Sequence, residues 1–502
     1  MSSQYLPKIE SFAFLTFYIV VLLKSIKNVS LVCNSEIPGY TYFDQGWNFL
    51  GRKRDNNDYE WETWSLFVRE TIQWYFFYVI SSEIHRISRI KQFSWFSFLF
   101  GSVFFYFQIG SVGTCIFLVK ALLFFWTIRY KKKYLIWISV GFWMLLMNIN
   151  AVEDMFYYTF EVDEQKVYML YVALGWQTLK CVSFAMDKIE DGEKSLFYGL
   201  KDYLGYIFYP PTIFMGPICV FGRHREMLLK ESAGKISSGT FSRTKFLIFN
   251  LLRCLTVFLI TQFALHYLYI NNFQFYHKQI FEKLTTFGLY GYGYLMGQFF
   301  HHKYVIFYGF GIALGEFDNI SMPNRPKCIA RINRYTDMWK HFDHGLYEFL
   351  FKYIYAQLCP KKAPLIRKFL SSLVTFAFIY LWHGLYKSIF IWSLLNYCCV
   401  VVENLMYSFM ESKKYKEKME KFMSGNNLLR FNALIATNVM IPAILSNFIF
   451  FAGTDVGYEF FRKTYLSGVW FYVKLLAICY SLYTTNEWIR RSEQKKILKS
   501  SE

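Results

Sequence analysis

Apolar runs close to 20 residues long recur along this sequence and are separated by short polar breaks. A helix needs about 20 residues to cross the hydrocarbon core of a bilayer, which is about 30 Å thick. Hydrophobic residues make up 54% of the chain and aromatic residues 22%. This apolar fraction is higher than that of a typical water-soluble domain. The sequence therefore predicts an all-α polytopic membrane protein with about 10–12 transmembrane helices.

The first apolar run covers residues 12–23 and is interpreted as a retained span, because no small-residue cleavage site follows it. Further segments are predicted at about 66–84, 94–111, 112–128, 134–150, 167–186, 246–270, 284–299, 303–316, 369–383, 386–404, 431–453 and 465–486. No internal repeat or linker divides the chain. Residues 1–502 are thus predicted to form one integral membrane domain. It comprises a first span and polar loop (1–65), a helical core (66–300), a catalytic core (301–404), and C-terminal helices with a basic tail (405–502).

Two stretches are predicted to depart from straight spans. Residues 31–65 carry too many charged groups for a bilayer and are expected to form the largest ordered extramembrane loop. Residues 203–221 are apolar but contain Pro210, Pro211 and Pro217, which remove backbone donors and break a helix. Irregular backbone is tolerated at membrane depth only against protein or a water-filled cavity, so a broken or re-entrant helix is expected there.

The formal net charge of +19 comes from short basic clusters between apolar runs rather than from a continuous basic stripe. This pattern favours membrane topology over a nucleic-acid partner. Basic clusters at 413–421 and 490–499 flank the last two predicted spans, and the positive-inside rule places both of them, and with them the C-terminus, in the cytosol. By the same rule, Lys361 and Lys362 are cytosolic, and the hairpin that follows turns at His383.

His383 is the strongest candidate for chemistry in the sequence. A helix that begins at Phe369 would carry its imidazole roughly 20 Å from the cytosolic face. An ionisable side chain at that depth is a functional hypothesis by default, and neutral imidazole is the usual general base near neutral pH. The alternative is a structural hydrogen bond to a neighbouring helix. A polar cluster about forty residues upstream, at 338–345, contains Asp343 and could bring a second polar group close.

The paired segments MWKHFDHGLYEFL (338–350) and TFAFIYLWHGLY (375–386) resemble the active-site motifs of the membrane-bound O-acyltransferase (MBOAT) family. Further segments extend the resemblance over most of the chain: DYEWETW, YIFYPPTIFMGPI, PKCIARINRYTDMW, LNYCCVVVEN and ILSNFIFFAGTDVG. Within that family, the sequence is similar to the branch that palmitoylates Hedgehog ligands. The resemblance implies an MBOAT fold, with broken helices around a central tunnel.

The resemblance also implies roles for individual residues. His383 matches the essential histidine of the family, and Asp343 matches the second catalytic residue. Cys328 falls where the family branch ligates a haem iron, which implies haem b as a cofactor. Trp339 falls in the acyl-CoA pocket, although a bare tryptophan more often packs. Asn447 lies in a late apolar helix, where it either lines the reaction chamber or bonds another helix.

The implied activity is transfer of palmitate from palmitoyl-CoA to the N-terminal cysteine of a secreted Hedgehog-type ligand. The implied location is the membrane of the endoplasmic reticulum or early secretory pathway. Two alternatives stay open: an O-acyltransferase acting on a protein serine or a lipid alcohol, and a non-catalytic scaffold or transporter. No zinc is expected, since the ten cysteines include no CxxC pair.

Some charged residues have two interpretations or none. The basic run Arg325, Lys327, Arg331 and Arg334 either meets the phosphates of coenzyme A or only enforces orientation. Lys120, inside an apolar run, is expected to snorkel from a helix end to the membrane surface. The pair His301–His302 has no assigned role.

Overall fold

The computed structural model describes residues 6–36, 43–160, 163–192, 199–234 and 239–501, with side chains up to residue 495. Helices form almost all of this part of the chain. They are α1 (Lys8–Glu36), α2 (Tyr59–Ile87), α3 (Phe93–Ile128), α4 (Lys133–Leu146), α5 (Asn150–Thr159), α6 (Glu164–Asp191), α7 (Leu200–Ile207), α8 (Phe221–Ser232), α9 (Thr240–Ala264), α10 (Phe273–Lys283), α11 (Thr286–Phe317), α12 (Tyr335–His341), α13 (His344–Leu350), α14 (Ala356–Leu358), α15 (Leu365–His383), α16 (Lys387–Glu411), α17 (Lys413–Glu420), α18 (Gly425–Leu466) and α19 (Val469–Ser501). A π-helical turn, Phe351–Tyr355, joins α13 to α14.

Six helices in the described ranges are long and apolar enough to cross a membrane: α1, α3, α9, α15, α16 and α18. A seventh span results if α4 and α5, which meet at a bend of 68°, are counted together. The chain is therefore a multi-pass membrane protein, as predicted. Many apolar side chains on these helices are exposed, which suits a surface that faces lipid.

Two pairs of predicted segments each belong to a single helix. The predicted segments 94–111 and 112–128 belong to one element, α3, which is broken at Gly110. The segments 284–299 and 303–316 form one continuous helix, α11. The polar residues that separated the latter two segments stay inside the helix because Lys303 is paired with Asp58 and Glu60 within the protein.

Glycines at positive φ produce the two sharp breaks within long helices. Gly110 has φ +87° in α3, and Gly453 has φ +85° in α18. Glycine adopts this backbone region without steric penalty, whereas other residues rarely do. The break in α18 follows directly after Phe450 and Phe451, which face the cavity described below.

The predicted broken helix at 203–221 is confirmed. Helix α7 ends at Ile207, a single 3-10 turn covers Pro210–Thr212, and the backbone stays irregular until α8 begins at Phe221. Side chains from neighbouring helices satisfy the freed carbonyls: Lys180 donates to the carbonyls of Tyr206 and Ile207, and Trp176 donates to that of Gly216. The irregular backbone is thus buried against protein, as the bilayer requires.

The polar loop is shorter than predicted, because α1 extends to Glu36 and α2 begins at Tyr59. Residues 37–42 of that predicted loop lie outside the described ranges. The remainder contains a two-stranded antiparallel sheet, Phe43–Asp44 with Arg54–Asp55. The carboxylate of Asp55 accepts backbone N–H groups from Asn57 and Asn271 and anchors the loop. Burial raises the pKa of Asp55 to about 6.

Helices α15 and α16 form the predicted hairpin. His383 is the last residue of α15, and Gly384 follows with φ +109°. The side chain of Asn148 accepts the backbone N–H of Leu385 at 2.9 Å and fixes the turn. Since α15 has 19 residues and rises about 1.5 Å per residue, His383 lies at the opposite end of this span from Lys361 and Lys362.

Candidate active site

A cavity of about 1260 Å³ lies at the centre of the helices. It exceeds the range of about 300–1,000 Å³ that is usual for small-molecule pockets. Four of the five predicted site residues line it: His383, Asp343, Trp339 and Asn447. The structure therefore brings together groups that are up to 108 positions apart in the sequence.

The ring of His383 is held by aromatic neighbours. Its centroid lies 4.7 Å from that of Trp382, 5.4 Å from Phe450 and 5.6 Å from Trp392. No side chain in the described part of the chain hydrogen-bonds its ring nitrogens, so the alternative of a structural hydrogen bond finds no support there. An imidazole in this setting is oriented by packing and keeps its nitrogens available to a substrate in the cavity.

Asp343 is the N-cap of α13. One carboxylate oxygen accepts the backbone N–H of Leu346 at 2.9 Å, and the other accepts the hydroxyl of Tyr308 at 2.7 Å. The cap fixes the backbone and the tyrosine fixes the side-chain rotamer, so the carboxylate has a defined position in the cavity wall. Tyr308 was not identified from the sequence, where it is one of 40 tyrosines.

Trp339 packs edge-on against Phe376 at 5.2 Å between ring centroids and lies 5.8 Å from Trp392. It thus belongs to the same aromatic wall that contacts His383. Trp339 therefore packs against other aromatic side chains and also lines the cavity, so both interpretations of this residue hold.

Asn447 likewise combines the two roles that the sequence left open. Its side-chain oxygen accepts the hydroxyl of Tyr335 at 3.1 Å and the indole N–H of Trp392 at 3.3 Å. Its amide nitrogen donates to the carbonyl of Ala443. The asparagine therefore ties α18 to α12 and α16 and, at the same time, lines the cavity.

Cys328 lies apart from this group, just before the turn Ile329–Arg331. Its thiol is partly exposed and lies 3.7 Å from the amide nitrogen of Gln298. A thiolate-ligated haem requires one accessible cysteine. The partly exposed thiol of Cys328 fits that requirement, and Lys327 beside it offers a cation for a propionate group. No group of three or more His, Cys, Asp or Glu residues in the described ranges is arranged to hold a metal ion.

Sequence reasoning missed a buried charge cluster in the cavity wall. The ammonium of Lys303 lies 2.9 Å from a carboxylate oxygen of Asp58 and 2.6 Å from one of Glu60. The hydroxyl of Tyr304 donates to Glu60 at 3.1 Å. The acidic run was assigned to an extramembrane loop, and its partner is 245 residues away along the chain, so no local pattern could have revealed the pairing.

Lys120 was expected to snorkel to the membrane surface, and this prediction is wrong. Its side chain points inward, is only 1% exposed and lines the cavity. The ammonium donates to the carbonyl of Leu174 and to the hydroxyl of Thr178, both at 2.7 Å. Lys120 lies about two turns before the end of α3, and its ammonium is satisfied by hydrogen-bond acceptors on α6.

A smaller pocket of about 290 Å³ lies at the end of the helices where α17 and the basic part of α19 meet. Its lining includes four cations: Arg334, Lys416, Arg490 and Arg491. Arg334 lies over the ring of Tyr407 at 3.9 Å. Of the predicted basic run, Arg331 forms an ion pair with Glu493. The side chains of Lys496 and Lys499 in the predicted basic tail lie outside the described part of the structure.

The sequence profile of the MBOAT, membrane-bound O-acyltransferase, family matches residues 57–446, a stretch that contains the polar end of α2, the broken helix, Asp343 and His383. The chain belongs to the membrane-bound O-acyltransferase family. The histidine at the end of α15 and the aspartate that caps α13 are thus placed by an MBOAT fold around one cavity.

Among MBOAT proteins, the chain is similar to the protein-cysteine N-palmitoyltransferase Rasp of Drosophila melanogaster, with 30% identity over 96% of this chain and 95% of the relative. It is 24% identical to the protein-cysteine N-palmitoyltransferase HHAT of Mus musculus over 86% of this chain and 88% of the relative. A third relative, the mouse protein-cysteine N-palmitoyltransferase HHAT-like protein, is 23% identical over 91% of this chain and 89% of the relative.

Proposed function

We propose that this chain is a protein-cysteine N-palmitoyltransferase that transfers palmitate from palmitoyl-CoA to the N-terminal cysteine of a secreted Hedgehog-type ligand. The observation that carries the proposal is that His383 and Asp343 line one large cavity in a chain similar, nearly end to end, to a protein with that name. Such a cavity can hold an acyl chain and a peptide terminus together.

In this proposal, His383 is the general base. The α-amine of the ligand attacks the thioester carbonyl, and His383 accepts the proton that the nitrogen loses as the C–N bond forms. The C–S bond then breaks, and coenzyme A leaves as a thiolate that takes a proton. Asp343 provides a fixed negative charge in the cavity wall, where it stabilises the positive charge that develops on the amine and the imidazole.

The distribution of charge supports two separate routes to the chamber. The cavity wall carries five carboxylates and two ammonium groups: Asp58, Glu60, Glu153, Glu164 and Asp343, with Lys120 and Lys303. This excess of negative charge suits a cationic peptide terminus and disfavours the phosphates of coenzyme A. The smaller pocket is lined by four cations and by three carboxylates, Asp337, Glu411 and Glu487, so its charges carry a small positive excess, opposite in sign to that of the large cavity.

The same asymmetry supports a topology in the membrane of the endoplasmic reticulum or early secretory pathway. The basic end, with α17 and the C-terminus, faces the cytosol, where palmitoyl-CoA is made. The end that carries Gly384 and the polar loop faces the lumen, where a secreted ligand is found. The hairpin α15–α16 thus delivers His383 to the lumenal half.

Trp339 and Asn447 are assigned supporting roles. Trp339 lines the acyl-CoA pocket, where its indole packs against the aromatic wall next to His383. Asn447 holds Tyr335 and Trp392 in position through its side-chain oxygen and thereby shapes the reaction chamber.

We propose that the thiolate of Cys328 would hold haem b, away from the reaction chamber. The group would supply a structural link near the basic face, held by the thiolate of Cys328 and by the adjacent cation of Lys327. The absorption spectrum of the purified protein tests this directly. A thiolate-haem band should be present in the wild type and absent in Cys328→Ala, and a wild-type spectrum without it would exclude the cofactor.

The function is tested with purified protein in detergent, labelled palmitoyl-CoA and two peptides, one with a free and one with an acetylated N-terminal cysteine. Transfer to the free peptide alone is expected, and His383→Ala should abolish it without loss of folded protein. Transfer that persists in His383→Ala would remove the assignment of the base. Transfer to a serine peptide or a lipid alcohol, but not to cysteine, would favour the O-acyltransferase alternative.

A further inference from the structure

Lys120 is a buried cation without a carboxylate partner in the described part of the chain. It lies in α3, is 1% exposed, and contacts a backbone carbonyl, a hydroxyl and the ring of Trp143, whose centroid is 5.4 Å from the ammonium. A cation at membrane depth is costly and usually serves a purpose when it borders a cavity. Its cavity position distinguishes it from a purely structural lysine.

The two other buried lysines in the described ranges are fully explained by their contacts. Lys180 donates to the carbonyls of Tyr206 and Ile207, where it closes the end of α7. Lys303 is paired with two carboxylates. Lys120 has neither a helix end to close nor a negative charge to balance.

A continuous wall connects His383 to Lys120. Trp382, the neighbour of His383, donates from its indole nitrogen to the carbonyl of Gly175 at 3.2 Å, and its ring lies 5.3 Å from that of Trp176. One residue before Gly175, Leu174 accepts the hydrogen bond of Lys120. The reacting centre and the lysine are thus connected through one tryptophan and two adjacent residues of α6.

We call this part of the cavity the acyl arm and define it by its lining residues Trp143, Met144, Leu174, Trp176 and Trp382, together with Lys120. These five lining side chains are apolar or aromatic. Of the five carboxylates in the cavity wall, Asp58 and Glu60 lie at the start of α2 beside α11, Glu153 lies in α5, and Asp343 caps α13. Glu164 is the first residue of α6 and lies nearly three helical turns before Leu174. The acyl arm is therefore the part of the chamber whose chemistry suits a hydrocarbon chain.

We propose that Lys120 sets the upper limit of acyl-chain length by closing the acyl arm with a polar group. The inference rests on the proposed palmitoyl transfer and specifies the class of acyl group accepted. The end of a longer acyl chain would displace the hydrogen bonds of the Lys120 ammonium to Leu174 and Thr178. A hydrocarbon cannot replace these bonds, so the displacement costs free energy. A chain that stops before Lys120 fits, and a longer chain is rejected or must fold back.

The test is a series of acyl donors given to the purified full-length protein: myristoyl-, palmitoyl-, stearoyl- and arachidoyl-CoA. Lys120→Met keeps the length of the side chain and removes its polarity. The ratio of kcat/KM for stearoyl-CoA to that for palmitoyl-CoA should rise by about tenfold or more, the discrimination that one misplaced methylene can produce in an apolar pocket. The KM for the peptide should not change.

Lys180→Met is the matched control, because Lys180 lies on α6, the helix that Lys120 contacts, and is also buried, but does not line the cavity. Its chain-length profile should equal that of the wild type. Met144→Trp provides a second, independent variant that fills the acyl arm and should shift the preference towards myristoyl-CoA, even if Lys120→Met does not fold.

The outcomes separate this inference from the proposed function. If wild-type protein transfers no acyl group from any donor, the proposed function fails. If wild-type protein is active but both Lys120→Met and Met144→Trp keep its chain-length profile, only the inference is overturned. Loss of all transfer in folded Lys120→Met would also overturn it, since a length limit requires that palmitoyl transfer persist.

Discussion

The carboxylate of Asp343 caps α13 and also has a proposed chemical role as a fixed negative charge. Replacing one of its two oxygen atoms with an amide nitrogen separates these roles. Asparagine also caps helices through its amide oxygen, and its amide nitrogen can donate to the hydroxyl oxygen of Tyr308, so Asp343→Asn should keep the stability of α13. Because the variant lacks the negative charge, kcat should fall by about 10²–10⁴-fold. Steady-state kinetics beside thermal unfolding in detergent measures both quantities.

Asp455→Asn is the control for that experiment, since Asp455 is an exposed carboxylate of α18 that does not line the cavity. Its kinetics should match those of the wild type. Equal kcat values for Asp343→Asn and the wild type would leave the carboxylate with a capping role only.

Glu60 is expected to contribute to peptide binding. Its side chain is 24% exposed in the structure, lines the cavity and belongs to a wall with excess negative charge. Glu60→Gln should raise the KM for a peptide with a free N-terminus by about tenfold, the worth of one charge-assisted hydrogen bond, and leave the KM for palmitoyl-CoA unchanged. Glu62→Gln is the matched control, because Glu62 lies two positions further along α2, pairs with Arg54 and does not line the cavity.

At the scale of elements, one ion-pair cluster fastens α11 to the beginning of α2. Lys303→Met would leave the partly buried carboxylates of Asp58 and Glu60 without their cation, and the free energy of unfolding should fall by about 1–3 kcal/mol. Adding Asp58→Asn and Glu60→Gln to the same chain should restore much of the loss, because the uncompensated charges are then removed. Chemical unfolding in detergent measures the difference.

Lys166→Met is the comparison for Lys303→Met. Lys166 pairs with Asp163 at 3.0 Å, but both side chains are well exposed, and such surface pairs contribute only about 0–1 kcal/mol. A loss of stability for Lys303→Met no larger than this would show that the cluster does not fasten the two helices.

The turn between α15 and α16 positions His383 through one glycine. Gly384 has φ +109°, and a Cβ there would lie 2.8 Å from the ring of Tyr386. Gly384→Ala should therefore displace the turn and lower kcat more than it lowers the unfolding temperature. Gly141→Ala in α4 is the control, because a Cβ at Gly141 meets nothing within 4 Å. Similar kinetics for the two variants would contradict the positioning role of the turn.

At the scale of the whole molecule, the proposed orientation can be tested with two surface positions at opposite ends. Lys414→Cys, in α17, should react with a membrane-impermeant thiol reagent in sealed microsomes, because the basic face is assigned to the cytosol. Asp154→Cys, in α5, should react only after detergent opens the vesicles. The reverse pattern would invert the topology and, with it, the two proposed routes.

The division of the chain into a single integral domain stays a prediction.

The sequence by itself determined what depends on neighbouring residues and on recognisable motifs. Runs of apolar residues predicted the spans, the prolines predicted the broken helix, and the resemblance identified His383 and Asp343. Only the tertiary structure showed which distant residues contact one another. Tyr308 donates to Asp343, Lys303 pairs with Asp58 and Glu60, and Lys120 points inward to α6. The physical reason is that hydropathy and backbone restrictions act over a few residues, whereas a buried polar group is satisfied by whichever helix packs against it.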